Sequence, residues 1–300
     1  MATLNRNPVI FGEVLFDEFP DGTGGVDAVL GGAPFNVAWH LRGFGLNPLL
    51  ISRIGEDARG REILDAMTDW GLDTSGLQCD PGRPTGRVAV TLEAGEPSYD
   101  IVADVAWDAI EAHAALGAVA GLNPPLLYHG SLALRAGDSR HALQSLRREL
   151  DAPAFVDVNL RAPWWQAETL EPLLRGSPWL KLNGDECATL AATWGLDGPE
   201  ALRRHFGATA LLLTHGADGA EWVGAGERLP VRPGPVADFQ DAVGAGDALA
   251  AVFLLGEIEG WPAATRLERG VAFAAAVCGL RGALTADPAF YTPFKENWSP

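Results

Sequence analysis

Asp247 is the carboxylate whose setting most invites a chemical reading. In DAVGAGDALAAVFLLG, residues 241–256, it directly follows a Gly-Ala-Gly turn and directly precedes an unbroken run of small and apolar residues. Glycines at 244 and 246 let the backbone turn tightly with its N–H groups outward, and the helix expected to follow adds the positive end of its dipole. Gly244, Ala245 and Gly246 therefore describe a nest for an anion such as phosphate. A carboxylate inside such a nest opposes an anion that merely rests there. It makes sense as the acceptor of a proton from a hydroxyl that attacks phosphorus, because phosphoryl transfer depends mainly on positioning and electrostatics and a base of low pKa suffices. The alternative is that Asp247 only caps a buried helix, the commoner use of Asp at such a position.

The elements that must position this group follow from the hydrophobic pattern. VIFGEVLF, PLLISRI, LLYHGSL, AFVDVNL, WLKLN and TALLLT read as strands, and NVAWHLRGFG, GREILDAMTDWG, SRHALQSLRREL and GDECATLAATWG carry helical periodicity. Strand alternating with helix predicts an α/β fold, a mostly parallel sheet with helices on both faces, in which ligands bind beyond the carboxyl ends of the strands. Polar residues stand at those ends: Asp17; Asp157, Asn159 and Arg161 in FVDVNLRAPWW; Asn183 and Glu186 in LKLNGDE; and THGADG after TALLL. GGAPFNVAWHLRGFG, residues 31–45, has a Gly pair and then Pro34 at a helix start, which puts Asn36 where its amide can face a ligand. By itself that stretch is also an ordinary helix with a flexible first turn. GRVAVTLEAGEPSYDIV, residues 86–102, breaks the alternation and reads as two strands around a Gly-Glu-Pro turn, either a lid or an ordinary edge hairpin.

Composition bounds the partners. A chain of 300 residues, 47% hydrophobic with 36 glycines and no repeats, fits a single folded α/β domain. A net charge of −17 sets the surface against nucleic acid and anionic membrane, so an anionic ligand must be held by local chemistry. Cys79, Cys187 and Cys278 suggest neither a disulfide framework nor a CxxC metal site, and with no export signal at the N-terminus they point to a reducing cytoplasm. The longest apolar stretches, ALAAVFLLG and GVAFAAAVCGL, fall short of the roughly 20 residues a membrane helix needs. The six histidines form no HxxxH or HExxH pattern, and GTGG at 22–25 lacks the full dinucleotide fingerprint. There is no GxxxxGK[ST], so ATP would bind without a Walker loop. The ten tryptophans, including Trp164 and Trp165, read as packing groups before sugar-stacking platforms.

Taken jointly, these stretches resemble the PfkB, or ribokinase-like, family of carbohydrate kinases, most of all its fructokinase branch. GGAPFNVA near the N-terminus and DAVGAGDAL near the C-terminus carry the resemblance. Between them DVNLRAPWW is similar to the fructokinase D-x-N-x-R-x-x-x-W stretch, NGDE to N-x-x-E, and THGADG to the T-x-G-x-x-G nucleotide loop. They occur in the family's order across residues 12–283.

The resemblance implies a three-layer α/β/α fold over residues 1–300, with lid segments at roughly 12–32 and 84–105. It implies transfer of the γ-phosphoryl of Mg-ATP to a sugar, fructose before others. Asp247 becomes the base, and the amides of Gly244, Ala245 and Gly246 the anion hole. Asp17, Gly31, Gly32 and Asn36 fall at the sugar hydroxyls, where carboxylate and amide groups can pair with a diol. Thr214, Gly216 and Gly219 fall along the ATP, while Asn183 and Glu186 organise Mg2+ through water. Arg161 with Asn159 would hold phosphate, the alternative for Arg161 being a surface ion pair. Relatives usually have two threonines after the equivalent of Asp241; Ala242 and Val243 stand here, which leaves open whether Asp241 and the Val243 carbonyl hold K+. Leu249 replaces a usual aromatic, a matter of packing. Lid strands pair across a two-fold axis in many relatives, which implies a homodimer. The scaffold also serves ribose, nucleosides, 2-keto-3-deoxygluconate and phosphosugars, and ADP-dependent relatives share it. A nicotinamide-dependent dehydrogenase would need GxGxxG after the first strand, and a silent sugar sensor would be expected to have lost Asp247, Asn183 or Glu186.

Overall fold

The computed structural model describes residues 6–20, 25–93, 96–236 and 238–298. The first half of the chain forms β1 (Val9–Phe11), β2 (Leu15–Pro20), β3 (Val26–Gly31), α1 (Ala33–Gly43), β4 (Leu49–Gly55), α2 (Ala58–Trp70), β5 (Leu77–Asp80), β6 (Gly86–Glu93), β7 (Glu96–Ile101), α3 (Ala112–Ala118), β8 (Leu127–His129) and α4 (Gly137–Glu149). The second half forms β9 (Ala154–Asp157), α5 (Ala167–Leu174), β10 (Trp179–Asn183), α6 (Gly184–Thr193), α7 (Gly198–Phe206), β11 (Ala210–Thr214), β12 (Ala220–Gly224), β13 (Glu227–Val231), α8 (Ala245–Ile258), α9 (Ala263–Val277) and α10 (Pro288–Trp298).

Among the described residues, nine strands make the main sheet, in the order β13-β12-β11-β10-β9-β8-β1-β4-β5. The strands from β11 to β5 run parallel, and β12 and β13 add an antiparallel edge. Alternate residues serve opposite layers. Ile10, Leu50 and Leu212 pack with α1, α2, α8 and α9 on one face, while Val9, Phe11, Leu211 and Leu213 pack with α3, α4, α6 and α7 on the other. Burial on both faces is why these strands read as continuous apolar runs and not as alternating ones. The result is the expected α/β/α layering.

A second, four-stranded sheet has the order β3-β2-β6-β7. Its strands β2 and β3 are antiparallel, as are β6 and β7, and β2 joins β6 in parallel. The run VIFGEVLF is therefore two strands: β1 ends in the main sheet at Phe11, Gly12–Val14 form the crossing, and β2 begins the small sheet. Gly12 has φ +150, and Pro34 of α1 lies where its Cβ would go, so this crossing is pressed against the start of α1. The 86–102 hairpin is present, but its turn precedes the expected one. Glu93 pairs with Glu96, so Glu96 and Pro97 belong to β7 and the intervening residues 94–95 lie outside the described ones. Of the GTGG stretch, residues 22–24 also lie outside them.

Helix α8 is buried from Ala248 to Gly256, packed against α1 and α9 and the sheet beneath. A helix that is apolar all round can only be an interior one. At its N-terminus it meets the polar cavity, and Gly244 caps it in the left-handed conformation at φ 76. No helix among the described residues is long and apolar enough to cross a membrane.

Candidate active site

A cavity of about 560 Å3 opens at the carboxyl ends of the central strands. The main sheet contributes Asp157 from β9, Lys181 and Asn183 from β10 and Thr214 from β11. The small sheet walls the other side with Leu15 and Asp17 of β2, Val88 of β6 and Ile101 of β7. Gly32 and Asn36 enter from the start of α1, and Gly244, Gly246 and Asp247 from the mouth of α8. Residues from both ends of the chain thus converge on one space.

At the α1 side, the Asn36 amide donates to Asp247 Oδ2 at 2.7 Å. Gly31 sits between Asp17 and Asn36 without lining the cavity itself: a Cβ there would stand 3.4 Å from Asp17 Oδ2 and 3.9 Å from Asn36 Oδ1. Gly32 has φ +109, and a Cβ would come 2.7 Å from the Glu13 carbonyl, so only glycine lets α1 start this close to the β1–β2 crossing. Asp17 is pushed up to about 6 by burial, with Arg161 pulling the other way. Asp247 is likewise pushed up to about 6: burial raises it, the Lys181 ammonium lowers it, Asp157 raises it, and Asn36 and Arg161 lower it.

The turn at α8 is held from behind. Asp241 accepts hydrogen bonds from the amides of Val243 at 2.8 Å and Gly282 at 3.0 Å, which ties the Gly-rich turn to the segment after α9. Asp241 therefore braces the turn without lining the cavity, and Ala245 likewise lies off the cavity wall as the first residue of α8.

Asn159 and Arg161 both face the cavity, Asn159 with φ 44 and Arg161 donating to the Leu160 carbonyl at 3.0 Å. Asn183 and Glu186 form a capping box at the start of α6: Asn183 Oδ1 accepts from the Glu186 amide, and Glu186 Oε2 from the Asn183 amide, each at 2.8 Å. Glu186 Oε1 also accepts from the Leu160 amide at 2.8 Å. Thr214 borders the cavity, whereas Gly216 and Gly219 lie beyond it. Gly219, at φ +97, is explained by the close approach of the Val231 carbonyl.

The family model for pfkB family carbohydrate kinases matches residues 13–289. This chain belongs to that family. It is a carbohydrate kinase, a phosphotransferase. It is 28% identical over 271 residues to a fructokinase of Klebsiella pneumoniae, covering 84% of this chain and 85% of that one. It is also 28% identical over 307 residues to the aminoimidazole riboside kinase of Salmonella typhimurium, covering 96% and 93%. Among solved structures, that of the Xylella fastidiosa fructokinase with bound ATP superposes with a TM-score of 0.81 at 22% identity, covering 97% of this chain and 99% of that one.

Two residues of this kinase's cavity escape sequence reasoning. Glu13 stands inside an apolar run, is 2% exposed, and has an Oε2 without a hydrogen-bond partner. Burial pushes it up to about 7, helped by the neighbouring Asp247 and Asp157 charges. Lys181, within WLKLN, reads as a strand residue of no distinction, yet its ammonium lies beneath the α8 turn. A charged residue inside an otherwise apolar run was the available signal for both.

Proposed function

We propose that this kinase transfers the γ-phosphoryl of ATP to the terminal hydroxyl of fructose. The observation that carries the reading is the position of Asp247, which faces a cavity from the first turn of α8, beside Gly244–Gly246 and within hydrogen-bonding distance of Asn36. The acceptor hydroxyl gives its proton to Asp247 as its oxygen bonds to the γ-phosphorus; the bond to the bridging oxygen breaks, and ADP leaves. The amides of Gly244 and Gly246, reinforced by the helix dipole, stabilise the charge on the transferring group, and the Ala245 amide joins them only on leaving the Ala242 carbonyl, to which it donates at 3.3 Å. Asp17, Gly31, Gly32 and Asn36 bind the sugar hydroxyls. Arg161 and Asn159 meet the phosphates, and Thr214, with the turn carrying Gly216 and Gly219, bounds the nucleotide's outer end. Closure of the small sheet would exclude water, the competing acceptor.

Among the described residues no three His, Cys, Asp or Glu side chains form a ready-made metal cluster. Asn183 and both oxygens of Glu186 already hold backbone amides, so the donors left over suit an ion held through its waters, as Mg2+ prefers. When bound with ATP there, Mg2+ would neutralise phosphate charge. Asp241, with lone pairs left on each oxygen beside the Val243 carbonyl, is where a K+ ion would act through the turn. Edge strand β3 exposes Val26 and Val29, which supports pairing of the lids of two copies. The free cysteines favour a reducing cytoplasm.

A second acceptor class, a riboside or another small polyol, is favoured by the equal identity to the aminoimidazole riboside kinase. The test is ADP release from Mg-ATP over fructose, ribose, glucose, 2-keto-3-deoxygluconate, adenosine, aminoimidazole riboside and fructose phosphates, with Asp247→Ala as control. Turnover of fructose that depends on Asp247 supports the first reading, and selective turnover of another acceptor replaces it. Near-native turnover by Asp247→Ala removes Asp247 from the role of base.

A further inference from the structure

We propose that Lys181 is a further phosphoryl-binding group of this site, a buried cation that completes the Gly-rich turn from below. The inference rests on the kinase reading above and adds a residue to it. Lys181 projects from β10, 8% exposed, and its ammonium lies 2.7 and 2.9 Å from the two oxygens of Asp157. Tyr128 donates to the same carboxylate at 3.1 Å, so Asp157 is itself held in place. The ammonium has three N–H donors, and Asp157 engages at most two.

Its other neighbours give the direction. A Cβ built on Gly246 would stand 3.3 Å from Lys181 Nζ and 3.7 Å from its Cε, so the ammonium packs directly against the Gly-rich turn at the mouth of α8. Lys181 lines the same cavity as Gly244, Gly246 and Asp247. The Lys181–Asp157 pair is thus a dipole whose positive end lies toward the turn, and Asp157, Asp247 and Glu186 keep the lysine charged. A buried ion pair adds little to stability, because desolvation offsets its attraction. In a water-excluded site, however, the same cation acts strongly on charge that develops beside it. It is also fixed before the reaction begins and needs no reorganisation.

The experiment compares Lys181→Met, Lys181→Arg and the double variant Lys181→Met/Asp157→Asn in the full chain with the acceptor that the native enzyme turns over. The double variant removes the Asp157 charge that the single variant would leave unpaired, and keeps the test available where the single variant does not fold. We expect Lys181→Met and the double variant to lose kcat by about 100-fold or more, the scale of removing one anion-hole donor, with Kd for ATP and for sugar within about threefold of native. Binding of ADP with aluminium fluoride, a mimic of the transferring phosphoryl, should weaken in parallel, and Lys181→Arg should recover part of kcat. A folded double variant with native kcat and native aluminium fluoride binding would overturn the role of Lys181. Absence of ADP release by the native enzyme on every acceptor would instead overturn the kinase reading, and this inference with it.

Discussion

The Asn36 amide reaches Asp247 across 2.7 Å and 211 residues of sequence, joining the start of α1 to the start of α8. The bond fixes one carboxylate oxygen and leaves the other to face the cavity. Asn36→Ala should therefore lower kcat about 10- to 100-fold, the weight of one hydrogen bond to a charged group, while Tm moves little. Steady-state rates and a melting curve on the same preparation check this. A loss of Tm that parallels the loss of rate would make Asn36 a packing residue only.

Gly244 turns into α8 at φ 76, and the Ala283 side chain occupies the space its Cβ would need. Gly244→Ala combines a backbone penalty of about 1 kcal/mol with displacement of the 281–284 segment, which Asp241 anchors through Gly282. The turn, and not the core, should suffer: kcat is expected to fall at least about 100-fold while the chain stays folded. Kinetics together with far-UV circular dichroism would show it, and native kcat in the variant would mean that the turn's geometry is not used.

Activity and stability should part company as pH falls. Asp247 accepts a proton only when ionised, and with its carboxyl at about 6, kcat/KM should drop about tenfold per unit below that pH. Glu13, Asp17 and Asp247 are all raised in the folded chain, to about 7, 6 and 6, so folding takes up protons there, and their contribution to stability grows as pH falls through that range. His40 and His129, buried and lowered to about 3, act the other way: their contribution is present above the ordinary histidine range and is lost as pH falls below it. The two sets offset each other, and Tm should change little between about pH 7.5 and 5.5 while the rate falls about fourfold. A Tm that follows the rate downward would attribute the loss to unfolding.

The central strands and the helices between them were legible because burial on two faces leaves long apolar runs, as in TALLLT and AFVDVNL. Asp247 and Asn36 were legible because glycines beside a helix start have few other uses. The split of VIFGEVLF was hidden, since Val9–Phe11 and Leu15–Phe16 are all buried and the crossing between them is only three residues long. Glu13 and Lys181 were hidden for a related reason: their significance lies in what opposes them across the cavity, and strand spacing carries no record of that. The antiparallel edge of β12 and β13 was also unread, because AEWVG and ERLPV are short and mixed in character.

Helix α8 brings Asp247 and packs against α1 in the main core, although 211 residues of chain separate Asn36 of α1 from Asp247. During synthesis the face of α1 that it covers stays bare until the segment carrying α8 has left the ribosome. A product cut short before residue 245 would therefore present apolar surface to chaperones and proteases, and it would also lack Asp247. The helix whose absence would bare the core is thus the one that brings Asp247 to the cavity.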